Sequence, residues 1–129
     1  MTSAEILAIE HACARLIARY ANANDAADWA AVADFYTETG RMARPSEPDA
    51  WIEGRAAILA AFEARPPRLT RHICANIVID VVDDSRALGV SAITLFVPGA
   101  APKLGSFYDR FDRIGSEWKF AERRGSIVF

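Results

Sequence analysis

His72 and Asn76 interrupt the longest β-like run of the chain, Leu69 to Val82, which is otherwise dominated by Ile and Val. An imidazole is the side chain best suited to moving a proton near neutrality, since its ordinary pKa is about 6.5. β-Branched residues at this density fit a central, largely buried strand. Simple alternation sets His72, Cys74, Asn76 and Val78 on one face, and Ile73, Ala75, Ile77, Ile79 and Val81 on the other. Polar side chains on a buried face need partners, because an unpaired donor or acceptor costs roughly 1–3 kcal/mol. A backbone carbonyl would satisfy His72 as a plain core residue. What meets His72 therefore decides whether it is structural or chemical.

The elements that carry these residues follow from local patterns. Thr2 and Glu5 have capping-box spacing, which starts a helix. Ile6, Ile9, Cys13, Leu16, Ile17 and Tyr20 make one apolar stripe, so the first helix is expected to reach about Tyr20 or Ala23, with His11 on its solvated side. Asp25 reads as the N-cap of a second helix, with Asp28 at its start, Trp29, Val32, Phe35 and Tyr36 on its buried side and Gly40 as its stop. A short strand from Arg41 to Arg44, a loop from Pro45 to Asp49 and a short strand from Trp51 to Glu53 come next. A third helix runs from Arg55 to Ala64 and is stopped by Pro66-Pro67. Four long strands complete the chain: Leu69 to Val82, Arg86 to Val97, Lys103 to Ile114 and Glu117 to Val128. Short turns between them predict an antiparallel meander. Helices first and strands last predict an α+β fold, with the helices on one face of a curved sheet.

Composition narrows the function classes. The 129 residues, 52% of them apolar, predict a single domain spanning 1–129 with a proper core. Fifteen basic and 17 acidic residues are interspersed, and no basic stripe points to nucleic acid. No apolar run approaches the ~18 residues of a membrane span, and no basic leader precedes an apolar segment. The expected compartment is the cytoplasm. Cys13 and Cys74 sit in apolar surroundings and are expected to be buried thiols. No zinc-ligand spacing, Gly-rich phosphate loop or Schiff-base lysine setting occurs, so neither a metal nor a cofactor is expected.

Several short motifs occur in a fixed order. Tyr20-Ala21 precedes Asp25 and Asp28-Trp29; Gly54-Arg55 precedes Ile58; Arg71-His72 precedes Asn76. Tyr108, Arg110-Phe111, Arg113, Gly115, Trp118-Lys119-Phe120 and Arg123 close the series. Together these resemble the SnoaL-like branch of the NTF2-like superfamily, over nearly the whole chain. The resemblance implies a cone-shaped α+β barrel, in which a strongly bent, mostly antiparallel sheet wraps a pocket and the N-terminal helices cover its wide end. The spacing is similar to that of scytalone dehydratase, bile acid dehydratase and hexachlorocyclohexane dehydrochlorinase. It implies that Asp25 pairs with His72 and that Tyr20 and Arg123 line the pocket. The strand after His72 reads Ser91 to Phe96, without the second histidine of scytalone dehydratase or the extra aspartate of the bile acid enzyme. The implied machinery is a single Asp–His dyad.

That resemblance implies a cofactor-independent lyase or isomerase, dehydratase- or polyketide cyclase-like, acting on a hydrophobic cyclic molecule. A carboxylate on one ring nitrogen would fix the tautomer of His72, and Tyr20 with Arg123 would hold a substrate oxygen as it gains charge. The expected pocket wall includes the aromatics Trp29, Phe35, Trp51, Phe107 and Phe111, together with Asn76, Ile93 and Leu95. Alternation sets Arg123 with Lys119 and Ala121, opposite Trp118 and Phe120, so only a bulge or the family match turns it inward. The alternative is a binding or assembly module of the same fold. There Asp25 only caps a helix, His72 is a core residue and Tyr20 extends the apolar stripe. Strands apolar on both faces predict a homo-oligomer, dimer or trimer.

Overall fold

The fold is described from a computed structural model covering residues 1–129. Helix α1 (Ser3–Asp25) opens on the capping box: the Glu5 amide donates to Thr2 Oγ1 at 3.1 Å, and the Thr2 amide to Glu5 Oε2 at 2.9 Å. Its stripe of Ile9, Cys13, Leu16, Ile17 and Tyr20 is buried. Helix α2 (Trp29–Asp34) is short, and strand β1 (Tyr36–Ala43) follows at once. Strand β2 (Trp51–Glu53) and helix α3 (Arg55–Glu63) precede the long strands β3 (Arg71–Val81), β4 (Arg86–Phe96), β5 (Lys103–Ile114) and β6 (Glu117–Ile127). The six-stranded sheet has the order β2-β1-β6-β5-β4-β3. Strands β3 to β6 form the antiparallel meander, β1 lies parallel to β6, and β2 closes the edge. No helix is long and apolar enough to cross a membrane.

Two junctions differ from expectation, α1 to α2 and α2 to β1, the latter strand starting at Tyr36 and not at Arg41. The first helix runs on to Asp25, whose following residue, Ala26, still donates its amide to Asn22 O at 3.0 Å. Asp25 is therefore the last residue of α1. The cap of α2 is Asp28, whose Oδ1 accepts from the Ala31 amide at 3.2 Å. The second helix ends before Tyr36, because Tyr36, Thr37 and Thr39 are aromatic or β-branched and Tyr36 pairs with Phe120 on β6. Gly40 lies inside β1, where a Cβ would come 3.0 Å from the Phe120 carbonyl oxygen.

Two bulges set which side chains face inward. Between Ala75 and Val78 the β3–β4 register shifts, and Asn76 adopts φ +51°, a left-handed conformation that asparagine tolerates better than most residues. The phase flips there. His72 and Cys74 face inward before the bulge, and Ile77, Ile79 and Val81 after it, while Ile73 and Val78 face out. Asn76 itself is exposed, which corrects its assignment to the pocket. On β6, Phe120 pairs with Phe111 and Glu122 with Arg110, leaving Ala121 as the extra residue. That bulge puts Arg123 on the same side as Phe120.

The inner face of the sheet is thereby divided along its length. At one end Phe111, Phe120, Ala87 and Ile79 pack beneath α1 as a closed core. At the other end His72, Ile93, Leu95 and Phe107 face an open cavity. Tyr20, Asp109 and Arg123 stand where the two meet.

Candidate active site

The cavity has a volume of about 630 Å³. Strand β3 presents His72 to it, and the C-terminal end of α1 brings Asp25 behind the ring. Asp25 Oδ1 lies 2.6 Å from His72 Nδ1. The same carboxylate accepts the His72 amide at 2.9 Å and the Thr70 hydroxyl at 3.0 Å. Both side chains are largely shielded, at 13% and 18% exposure. Three donors, two of them from His72 on β3 and one from Thr70 just before that strand, therefore fix the carboxylate before any ligand arrives. A carboxylate on Nδ1 selects the tautomer with the proton on that nitrogen, which leaves the Nε2 lone pair free. Nε2 has no partner within the chain, and the ring lines the cavity.

Tyr20 and Arg123 line the same cavity. The Tyr20 hydroxyl meets the Tyr36 hydroxyl at 2.9 Å and Met42 Sδ at 3.6 Å. Burial raises the pKa of both phenols, more so for Tyr36, so both stay neutral and can donate. The Arg123 guanidinium, 1% exposed, lies between the Phe107 ring at 3.8 Å and the Tyr20 ring at 4.6 Å. Asp109 Oδ1 is 3.2 Å from its Nε, an ion pair without hydrogen-bond alignment. None of the three guanidinium nitrogens has a hydrogen-bond acceptor in the chain. Burial pushes the Asp109 carboxyl up to about 6, opposed by Arg123.

Of the expected lining, Ile93, Leu95 and Phe107 are in place. Trp29 is stacked behind Phe62 at 5.3 Å, so Phe62 lines the cavity in its stead. Phe35 packs under Arg19, Trp51 lies on the edge strand under Arg41, and Phe111 is fully buried against Phe120. These three sit outside the cavity because it occupies only one end of the sheet. Pro45 reaches the wall because Gly125 leaves room: a Cβ there would lie 2.5 Å from Pro45 Cγ.

Three partners are missing from the sequence-based expectation: Thr70, Tyr36 and Asp109. Asp109 was legible in principle, since alternation on β5 sets it with Phe107 and Phe111 on the inner face. Both cysteines are free thiols, and burial raises Cys74 and pushes Cys13 up to about 12, away from thiolate chemistry. No group of three or more His, Cys, Asp or Glu side chains is gathered in a way that could hold a metal ion.

A family model described as a SnoaL-like domain matches residues 5–124. The chain belongs to the SnoaL-like domain family. Solved structures share its fold. One is a putative scytalone dehydratase from Novosphingobium aromaticivorans, 21% identical, with a TM-score of 0.86 over 99% of this chain and 89% of that one. Another is a hexachlorocyclohexane dehydrochlorinase, LinA-type3, from Novosphingobium barchaimii, 15% identical, with a TM-score of 0.84 over 99% and 92%. A third is a protein of unknown function from Mycobacterium tuberculosis, 27% identical, with a TM-score of 0.82 over 98% and 76%. An NTF2-like protein with a cystatin-like fold, from Novosphingobium aromaticivorans, also matches, 22% identical, with a TM-score of 0.83 over 95% and 84%. No curated protein matches the SnoaL-like chain by sequence.

Proposed function

We propose that this SnoaL-like domain is a cofactor-independent lyase or isomerase that removes a proton from a hydrophobic cyclic substrate. The observation that carries this reading is the 2.6 Å Asp25–His72 contact on the wall of an open cavity. His72 Nε2 takes the proton, and Asp25 stabilises the imidazolium that results. The Tyr20 hydroxyl and the unpaired nitrogens of Arg123 hold the substrate oxygen on which charge grows. The apolar wall of Ile93, Leu95, Phe62 and Phe107 receives the ring body. The family and the dehydratase and dehydrochlorinase among its structural neighbours agree with an elimination or isomerisation.

Paired substitutions test the proposal. His72→Ala should lower turnover by about a hundred- to ten-thousand-fold, the usual effect of losing a general base. Asp25→Asn should also lower activity steeply, since the amide keeps the shape but not the charge and can turn the imidazole to the wrong tautomer. Both rates would be read on cyclic ketones or phenols found to raise the melting temperature. If Asp25→Asn keeps full activity on such a compound, the dyad assignment is wrong. A protein that binds these compounds without turning any over is a binding module.

A further inference from the structure

The charges around the cavity are all of one sign. Arg44, Arg65, Arg68, Lys103 and Arg123 line it, and no aspartate or glutamate does. This is at odds with a chain whose formal net charge is −2. Outside the cavity, five of the ten cations have a carboxylate within ion-pair distance, among them Arg41 with Glu122 at 3.0 Å, Arg86 with Asp112 at 3.5 Å, Lys119 with Asp34 at 3.5 Å and Arg124 with Asp49 at 2.9 Å. Of the five on the cavity wall, only Arg123 has a carboxylate within ion-pair distance.

The unpaired cations are also crowded. Arg65 follows α3, its guanidinium 4.3 Å above the Phe62 ring, and Arg68 stands three residues on. Arg44 reaches in from the end of β1, with Nη2 donating to the Ala61 carbonyl at 2.9 Å and a buried Nε that has no partner. Burial, reinforced by repulsion from Arg44 and Arg68, brings the Arg65 pKa down to about 10. Like charges held together by different segments are a cost to the empty protein, and an anion between them removes it. Arg68 and Lys103 are exposed and so mark the opening, while Arg123 is buried at the inner end.

We infer that the ligand of this cavity is an organic anion: an apolar ring body carrying a carboxylate or sulfonate that sits at the opening among Arg44, Arg65 and Arg68. The inference names the substrate class for the site proposed above and rests on that site binding a ligand, but not on the dyad being catalytic. With the anion at the opening, the ring lies against Leu95 and Phe107, in the same cavity that His72 and Arg123 line. The basic cluster thus selects and orients, and the dyad acts on what it presents.

Two dyes of nearly the same shape test this without any turnover. Anilinonaphthalene sulfonate carries one negative charge, and phenylnaphthylamine carries none; both fluoresce on entering an apolar site. The sulfonate should bind the folded protein about tenfold tighter or more, the ratio that ~1.4 kcal/mol of charge attraction gives. Arg65→Gln with Arg68→Gln should bring the two affinities together, with circular dichroism reporting that the fold is kept. Arg68→Gln alone, at an exposed position, should move them part of the way. The preference should persist in Asp25→Asn, so that losing the dyad and losing the anion site are separate results. Equal affinities in the parent, no sulfonate binding, or a ratio that survives the double substitution would each overturn the inference.

Discussion

Asp109 is the only carboxylate fully buried in the fold, and its protonation links the site to stability. Its carboxyl is raised from 3.8 to about 6, first by burial, with Arg123 opposing. Between those values the folded chain binds more proton than the unfolded chain, so stability falls as pH rises through that window. The loss is complete above about 6, and a rise in pKa of this size corresponds to about 3 kcal/mol. Asp83 runs the other way, because hydrogen bonds from Ser85 lower its pKa, and its contribution is lost only at more acidic pH. Comparing the parent with Asp109→Asn isolates the buried group. Urea unfolding at pH values from about 4 to about 7 should show the parent losing stability relative to the variant across the window. A difference that stays constant with pH would mean that Asp109 is ionised throughout, and the burial argument would fail.

At the scale of elements, the sequence was readable wherever one pattern dominated a segment. The α1 stripe, the short α3 and the four long strands all lie within two residues of expectation, because capping, proline stops and β-branched runs act locally. The failures are of phase and of place. Asn76 was set beside His72 by strict alternation, but the left-handed bulge at Asn76 turns it out to solvent. Phe107 and Phe111 share one face of β5, yet only Phe107 reaches the cavity, since α1 covers the Phe111 end; no local pattern encodes that cover. The Asp25–His72 contact joins residues 47 apart in sequence, and only the family resemblance, not the spacing, pointed to it. The bulge can be tested directly. Asn76→Gly should be nearly neutral, because glycine accepts φ +51° freely. Asn76→Val should cost roughly 1–2 kcal/mol, the penalty for a side chain that resists the left-handed region. Equal stabilities for the two variants would show that the bulge relaxes to regular strand.

For the whole molecule, the decisive feature is the outer side of the sheet. Val78, Val90 and Tyr108 are register partners on β3, β4 and β5, and each is about half exposed, at 57%, 47% and 51%. Leu88, Ile73 and Phe96 extend this apolar surface along the same strands. The inner face of these strands is already committed to core and cavity, so the sheet is apolar on both sides, and such sheets are ordinarily covered on both. The three helices pack elsewhere. Beside the apolar row, Asp80, Leu88 and Arg110 form the next row of register partners, with opposite charges at its two ends. A second copy related by a two-fold axis can set Asp80 against Arg110 while the apolar rows meet, which is the self-complementarity a closed homo-oligomer requires. We therefore expect the protein to run as a multiple of its 14.1 kDa chain mass in light scattering at micromolar concentration. Val90→Asp, at the centre of the row, should shift it to the single-chain mass with little change in circular dichroism, since the side chain points away from the core. A parent protein that scatters as a 14.1 kDa particle under these conditions would leave the apolar row without a second copy to cover it, and this reading of the outer face would be abandoned.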